Sequence, residues 1–447
     1  MSFELYEYKI EDLGKVITGK TPPSKISDAF SAQGIPFVTP KDMDGRRLID
    51  KTERYLSSQG VEAVRNCLLP QNSIAVSCIG SDMGKTVLLP GESITNQQIN
   101  AIVVDSEHFD YKYVYYYLST LQDDFKAIAG GSATPILNKG HFSQFKVSLP
   151  VKPVQNKIAL ILDSLDTKIE VNTEINHTLE QMAQALFKSW FVDFEPVKAK
   201  MAVLESGGSQ ADAMLAAMTA ISGKDADALA VFEREHPEQY AELKATAELF
   251  PSAMQDSELG NIPVTWELGK LQDLLVLQRG FDLPSSARKD GEFPLIAASG
   301  PNGTHNVAMA KAPGVITGRS GMLGKVYLTL EDYWPLNTTL WVKEFKRATP
   351  CYAYELLRLL DMKAFNAGSA VPSLNRNHIH SLSYPLPPMA LVNLFESSAL
   401  LLHQRAHVNL KHSQSLALLR DTLLPKLLSG EITLPEAEQA VSEAENV

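Results

Sequence analysis

The sequence predicts an α+β chain in which one unit is built twice: two similar mixed α/β domains, each followed by a long helix of coiled-coil character. Three observations carry this expectation. The phrase GSATPILNKGH at residues 131–141 returns, altered, as GSAVPSLNRNH at residues 368–378. Each copy then runs without a gap into a stretch whose apolar residues recur at alternating spacings of four and three. Between the copies lies a segment, residues 193–262, with five basic and thirteen acidic side chains, which supplies most of the net charge of −11.

The elements follow in order. Residues 1–152 mix short β-rich runs, at 73–78 and 99–104, with Gly, Pro and Asn punctuation and a helix near 111–129, a mixed α/β pattern. Pro153 suits a first helical turn, and residues 153–195 predict the first long helix. Its seam is Ile158, Leu162, Leu165, Ile169, Asn172, Leu179 and Leu186, with no Gly or Pro before Pro196. A stripe this narrow is a coiled-coil seam rather than a broad globular face, and about 40 residues at ~1.5 Å each span ~60 Å. Residues 196–262, with ESGGSQADAM and HPEQYAELKA, read as an acidic helical connector or insert, a spacer rather than a catalytic part. Residues 263–387 repeat the mixed pattern, with β-rich runs at 314–317 and 339–342 and a helix near 352–365. Residues 388–430 predict the second long helix, with seam Phe395, Leu402, Asn409, Leu416 and Leu423 running towards Pro425, and residues 431–447 a C-terminal tail. An offset of 237 places Asn138 on Asn375, Leu165 on Leu402 and Leu186 on Leu423. Helices this long need a partner, and the obvious partner for each is the other. Asn172 and Asn409, aligned in mid-seam, are expected to fix the register.

Composition narrows the function. At 447 residues, 45% hydrophobic and 21% charged, the chain is globular with two or three domains. No apolar run approaches the ~20 residues that cross a bilayer. The opening MSFELYEYKIEDLG has acids where a secretory signal carries bases, so a cytoplasmic location and no membrane contact are expected. Cys67, Cys78 and Cys351 lack CxxC spacing and nearby histidines, which gives neither a disulfide framework nor a zinc site. His403, His407 and His412 read as surface or seam residues of the second helix. Residues 1–152 hold sixteen basic and seventeen acidic groups, and residues 263–387 thirteen and ten. Both regions can therefore present a positive face despite the acidic total, and composition permits DNA binding without demanding it.

Catalytic signatures are sparse. The stretch GSDMGKT at residues 80–86 approximates a phosphate loop but is one residue short between its glycines, and its counterpart GMLGKV at 321–326 lacks the hydroxyl for magnesium. A tight turn presenting Lys85 and Lys325 is expected there. A nucleotide-binding enzyme using that loop remains an alternative, as does a coiled-coil scaffold protein. GxSxG, HExxH, a post-strand GxGxxG and the NPPY type of motif are missing, so no catalytic residue, cofactor or metal is expected. What stands out instead is a set of polar and basic loops in corresponding parts of the copies. The first offers Lys20, Thr21, Lys41, Arg46, Arg47, Ser81, Lys85 and Lys139. The second offers Arg279, Asn302, His305, Arg319, Ser320, Lys325 and Arg376. Such side chains are what phosphates and base edges require. Arg279 and Arg319 are candidates for guanine, and Lys20, Lys41 and Lys85 for the DNA backbone.

Further phrases add specificity: SWFVDFEP at 189–196, DSELGNIP at 256–263, LLPKLLSGEI at 423–432, and the GSxxPxLN pattern that closes each domain. On these the chain resembles, over essentially its whole length, the DNA-specificity subunits of type I restriction-modification enzymes. The resemblance implies two target-recognition domains, each reading one half of a bipartite, asymmetric site in double-stranded DNA. It implies that the two long helices pack antiparallel and hold the readers apart, near one duplex turn of ~34 Å. It also implies partners: two methyltransferase (modification) subunits, and restriction (translocase/endonuclease) subunits. Catalysis, S-adenosylmethionine and ATP would belong to them. Residues 197–254 are less typical of the family.

Overall fold

A computed structural model describes residues 3–129, 136–365 and 373–445. The first parts of the repeated phrases, 131–135 and 368–372, lie outside the described residues. The chain divides into two compact units, Met1–Asn172 with His412–Val447, and Thr173–Lys411.

In the first unit, β1 (Gly14–Thr18), β2 (Ser73–Ser77), β3 (Thr86–Leu89) and β4 (Ile99–Val104) form an antiparallel sheet in the order β1-β4-β2-β3. The whole of β2 and the first four residues of β4 are buried, which is why they read as unbroken rather than alternating runs. Helix α1 (Tyr111–Ser119) starts on the Asp110 side chain, which accepts from the Tyr113 amide. The helix expected to reach residue 129 breaks after Ser119, where the Thr120 hydroxyl turns back on the Tyr117 carbonyl, and resumes at Gln122–Ile128.

The first long helix, α2, runs Lys152–Phe191 with Pro153 in its first turn. Four helices follow: Glu195–Glu205, Gln210–Ser222, Ala226–Glu235 and Pro237–Glu248. They enclose a small core of Ala217, Met218, Leu229 and Ala247, and the buried Lys200 donates to the carbonyls of Ala247 and Phe250 at 2.7 and 2.6 Å. Burial lowers the pKa of that ammonium.

The second unit repeats the sheet. Strands β5 (Leu275–Arg279), β6 (Gly314–Gly318), β7 (Val326–Thr329) and β8 (Thr339–Phe345) lie in the order β5-β8-β6-β7, the same topology at the same places in the chain. The likeness extends to the smaller pairings. Ile35–Val38 lies parallel to Ile94–Thr95, and Phe293–Ala297 parallel to Trp334–Pro335. Tyr6–Lys9 pairs antiparallel with Lys146–Leu149, as Glu267–Lys270 does with Ser383–Leu386. Helix α3 (Pro350–Leu359) stands where α1 stands in the first unit, and the second long helix, α4, runs Met389–Ser429. It continues through Pro425, and Leu427 and Leu428 bury the last turn against the first unit's core. A final helix, α5, spans Leu434–Glu445.

The expected α+β class, with two long antiparallel helices in contact, is what the structure has. In the first unit Ile158, Leu162 and Leu165 of α2 share a core with Leu416 and Leu423 of α4, and Ile169 packs against it. In the second, the rings of Phe187 and Phe395 meet at 5.5 Å, with Leu186 and Leu402 in the same cluster, while Leu179 is half-buried. Asn172 and Asn409 do not meet each other. Asn172 donates to the Ser413 hydroxyl at 3.1 Å, and Asn409 to the Asn176 side chain at 3.0 Å. The offset of 237 carries Asn172 to Asn409 and Asn176 to Ser413, so this is one antiparallel contact made once in each unit.

The SWFVDFEP phrase is core. Trp190 lies edge-on to Phe250, Phe191 to Phe395, and Phe194 to Trp266 at 5.2 Å. Phe194 holds a left-handed backbone, φ 54°, which costs a non-glycine residue roughly 1 kcal/mol or more. Burial of the ring against Trp266 offsets that cost.

Candidate nucleic-acid interface

In both units some of the candidate residues lie where β1 or β5 ends and β4 or β8 begins. Gly19 follows β1 and donates to the Ile99 carbonyl at 3.2 Å; Gly280 follows β5 and donates to Thr339 at 3.0 Å. A Cβ on either glycine would sit 2.2 Å from a backbone carbonyl, of Thr95 or of Leu336, so only glycine allows this approach. The two glycines are equivalent, and the side chains beside them are free to differ.

After Gly19 come the exposed Lys20 and Thr21, and the Thr21 hydroxyl donates to Gln97 at 2.8 Å. The segment closing the domain returns alongside: Ile79 bridges Ile136, and the Leu137 amide bonds Cys78. Asn138 then caps a short helix, accepting from the His141 amide, and exposes Lys139 at its first position. Lys20 and Lys139 come close enough that both act electrostatically on the buried Cys67 thiol, whose pKa burial nevertheless raises. Beneath them Asn100 is buried and satisfied, accepting from Thr18 and donating to Leu137. Lys41 is exposed on a turn that Asp42 ties down through Thr39 and Glu53, and it lines a recess with Arg54, Asn96 and Gln98.

Ser81 and Lys85 sit on the hairpin between β2 and β3. That turn is closed internally: Met83 donates to Gly80, Gly84 to Ser77 and Lys85 to Asp82. Three of its amides are thereby engaged within the turn, and a strand rather than a helix comes after it. Lys85 reaches Asp82 at 2.9 Å and the Met43 carbonyl at 3.4 Å. Arg46 is exposed between Asp44 and Asp50. Arg47 is placed differently. It lies against α2, with Nη1 2.6 Å from Asp163, Nε and Nη2 on Glu170 at 2.9 and 3.0 Å, and a bond to the Tyr116 hydroxyl. Burial alone would lower its pKa, yet the bonds it donates to Glu170 and Asp163 raise it. Its guanidinium is committed to the scaffold.

In the second unit Arg279 ends β5 and holds Asp282 at 3.0 Å, while Asn337 donates to the same carboxylate. Arg319 reaches the Asn337 carbonyl at 3.5 Å, so both guanine candidates converge on one polar cluster. Arg319 and Ser320 donate their amides to Thr338, and Ser320 bridges Ser373 as Ile79 bridges Ile136. Lys325 is exposed on the hairpin at the place of Lys85. Arg376 opens a helix capped by Asn375, at the place of Lys139. Asn302 is exposed on the Gly300–His305 strand. His305 is buried, its Nδ1 accepting from the Lys289 amide at 3.0 Å and its ring against Trp334, so it supports that strand from within.

Composition-based reading missed Gln97, Asn337 and Arg54. The polar run Thr95–Gln98 directly before a strand was the available signal for the first. Arg54 lies over the rings of Phe30 and Phe37 at 4.7 and 5.1 Å, a placement with no local signature. Among the described residues one group, Asp105, Glu107 and His108, has metal-ligand spacing; all three are exposed and His108 already pairs with Asp105. No described helix is long and apolar enough to cross a membrane.

The family described as "Type I restriction modification DNA specificity domain" matches residues 4–181. The specificity subunit of the HindI type I restriction enzyme of Haemophilus influenzae is 32% identical over 323 residues, covering 65% of this chain and 70% of that protein. The MjaIX specificity subunit of Methanocaldococcus jannaschii is 24% identical over 441 residues, 96% of this chain and 93% of its own. Among solved structures, the S subunit of a type I restriction-modification system from M. genitalium superposes with a TM-score of 0.53 at 16% identity, covering 95% and 96% of the two chains. The fold is shared where the sequence is not.

Proposed function

Because this chain belongs to the type I restriction-modification DNA-specificity subunits, non-catalytic proteins of DNA target recognition, we propose that it reads a bipartite, asymmetric site, one half with each domain. In this reading it carries two methyltransferase (modification) subunits, and restriction (translocase/endonuclease) subunits, to that site. The carrying observation is a division between features the two interfaces share and features they do not. Cations recur at equivalent places, Lys85 with Lys325 and Lys139 with Arg376. Phosphates are the same in every sequence, so contacts to them need not change between readers. The groups beside the shared glycines differ: Lys20 and Thr21 after Gly19, but Arg279 before Gly280 and Asp282 after it, and Cys78 where the other copy has Arg319. Base edges differ between half-sites, and side chains that read them must differ too.

On this basis Lys20, Lys41, Lys85, Lys139, Lys325 and Arg376 contact the backbone, with Arg46 and Ser81 at its margin. Thr21, Arg279, Asn302, Arg319 and Ser320 face bases, while Arg47 and His305 serve the scaffold. Exchanging residues 1–150 for the first domain of another family member tests the reading. Mapping of methylated adenines in host DNA should then show one half of the target replaced and the other kept. Replacement of both halves, or of neither, would refute it.

A further inference from the structure

Each reading domain is tied to its own long helix by an ion-pair contact, and the two contacts have opposite signs. In the first unit the cation is on the domain: Arg47 holds Asp163 and Glu170 of α2. In the second the anion is on the domain: Glu331 lies 2.8 Å from Lys411 and 4.0 Å from His407, both on α4. Both tethers leave from the same part of the duplicated sheet. The Arg47 carbonyl accepts from Leu88 of edge strand β3, and the next amide but one, Ile49, donates back to Leu88. Glu331 follows edge strand β7 by two residues and is held there by the Thr329 hydroxyl. They land at overlapping levels of the duplicated helices, since the offset of 237 carries Glu170, which Arg47 holds, to His407, and Lys411 falls one turn further on, at the place of Glu174.

Duplicated domains with equivalent docking surfaces can settle on the wrong helix. Placed on α4, Arg47 would meet Leu400, His403 and His407 where α2 offers Asp163, Asp166 and Glu170, and a guanidinium now 11% exposed would lose its carboxylates. Placed on α2, Glu331 would face Glu170 and Glu174. Either wrong pairing sets like charges together or strands one, and each right pairing joins opposites. We propose that Arg47 and Glu331 are positioning residues, sign-reversed tethers that assign each domain to its own helix and hold it at one angle there. The readers then accept one gap between half-sites. This inference rests on the half-site reading given above.

The test uses the full chain assembled with its host's modification subunits. Binding is measured to duplexes with the native gap, with the gap one base pair shorter or longer, and with one half-site alone. Glu331→Lys should lower the preference for the native gap about five-fold, the scale of reversing a partly exposed ion pair, while binding to single half-sites stays within about two-fold. Adding Lys411→Glu should restore the preference. Arg47→Met should lower it more, because that contact is more buried, and Arg47→Lys should recover part of it even where the double variant fails to assemble. Unchanged gap preference in Glu331→Lys and Arg47→Met would overturn the tether, as would equal weakening on half-site and full duplexes, which would mean direct DNA contact. A wild-type complex without sequence preference on any duplex would instead overturn the half-site reading, and the tether with it.

Discussion

Arg47→Ala separates two roles that a sequence assigns equally well to an arginine on a basic loop. Its guanidinium makes four hydrogen bonds, two to Glu170, one to Asp163 and one to Tyr116, and its side chain is 11% exposed. Truncation strands Asp163 only in part, because Lys112 holds the other oxygen at 2.5 Å, and Glu170, 37% exposed, regains water. The penalty therefore falls below the 3–5 kcal/mol of a fully buried broken pair, at about 2 kcal/mol. Hydrogen exchange reads this directly: amides of β3 and α1 should exchange about 30-fold faster than in the wild type. Acid should erase the difference. The Asp163 carboxyl, although burial raises its pKa, is held below its ordinary value by Lys112 and Arg47. Its contribution is therefore present above the usual aspartate range and is lost as pH falls through the lowered value. DNA binding gives the opposing readout. Removing one phosphate-binding cation would lower the slope of log K against log salt by about 0.9, whereas a scaffold arginine leaves it unchanged. A slope reduced by nearly one, with exchange unaltered, would refute the placement of Arg47 against α2.

The remaining expectations use the same assays. Lys85→Ala and Lys325→Ala should each lower the salt slope by about one, on all target sequences alike and with stability within about 0.5 kcal/mol; weakening confined to one sequence would count against a backbone role. Arg279→Ala and Arg319→Ala should instead relax discrimination at positions of one half-site, by about 1–3 kcal/mol per base pair, read by methylation mapping. Glu355, 1% exposed beside Arg358 at 3.4 Å, has its carboxyl pushed up to about 7 by burial. A raised acid favours the folded state fully below its unfolded value and loses that contribution as pH rises through 7. Urea unfolding should therefore show Glu355→Gln more stable than the wild type at pH 8 by up to about 3 kcal/mol, with the advantage gone near pH 4.5. Asn409→Ala, which leaves the Asn176 carbonyl oxygen without that donor, should cost about 1 kcal/mol in the same experiment.

How much of this was legible in the sequence depended on whether the cause was local. The duplication was, because loop and helix recur at one offset, and the long helices were, because a 4-3 stripe with no breaker fixes both period and length. The seam partners of Asn172 and Asn409 were not: an antiparallel register between residues some 240 apart has no local signature. The shared capping asparagines, Asn138 and Asn375, were visible as repeated letters, and with them the positions of Lys139 and Arg376. Arg46 and Arg47 are the limiting case. They are neighbours of identical type, yet one is exposed between two aspartates and the other is directed at α2, because the carbonyl of Arg47 is bonded into the ladder beside Leu88. Tertiary geometry alone separates them.

That separation bears on how a duplicated reader diverges. A side chain that meets only DNA can change with the target, since its removal costs the fold little. A side chain that meets the helix pair cannot change alone: Arg47 without Asp163 and Glu170, or Glu331 without Lys411, leaves a charge unmatched. Substitutions should accordingly occur singly at Thr21, Arg279 and Arg319 and in compensating pairs at the tethers. The structure already holds one such comparison within itself. Between its two copies the residues flanking Gly19 and Gly280 differ, and the tether charges differ in sign on both domain and helix, with Arg47 on Asp163 and Glu170 in one copy and Glu331, at a different position of the copy, on Lys411 in the other. Opposite signs at the two contacts are what keeping each domain off the other's helix requires.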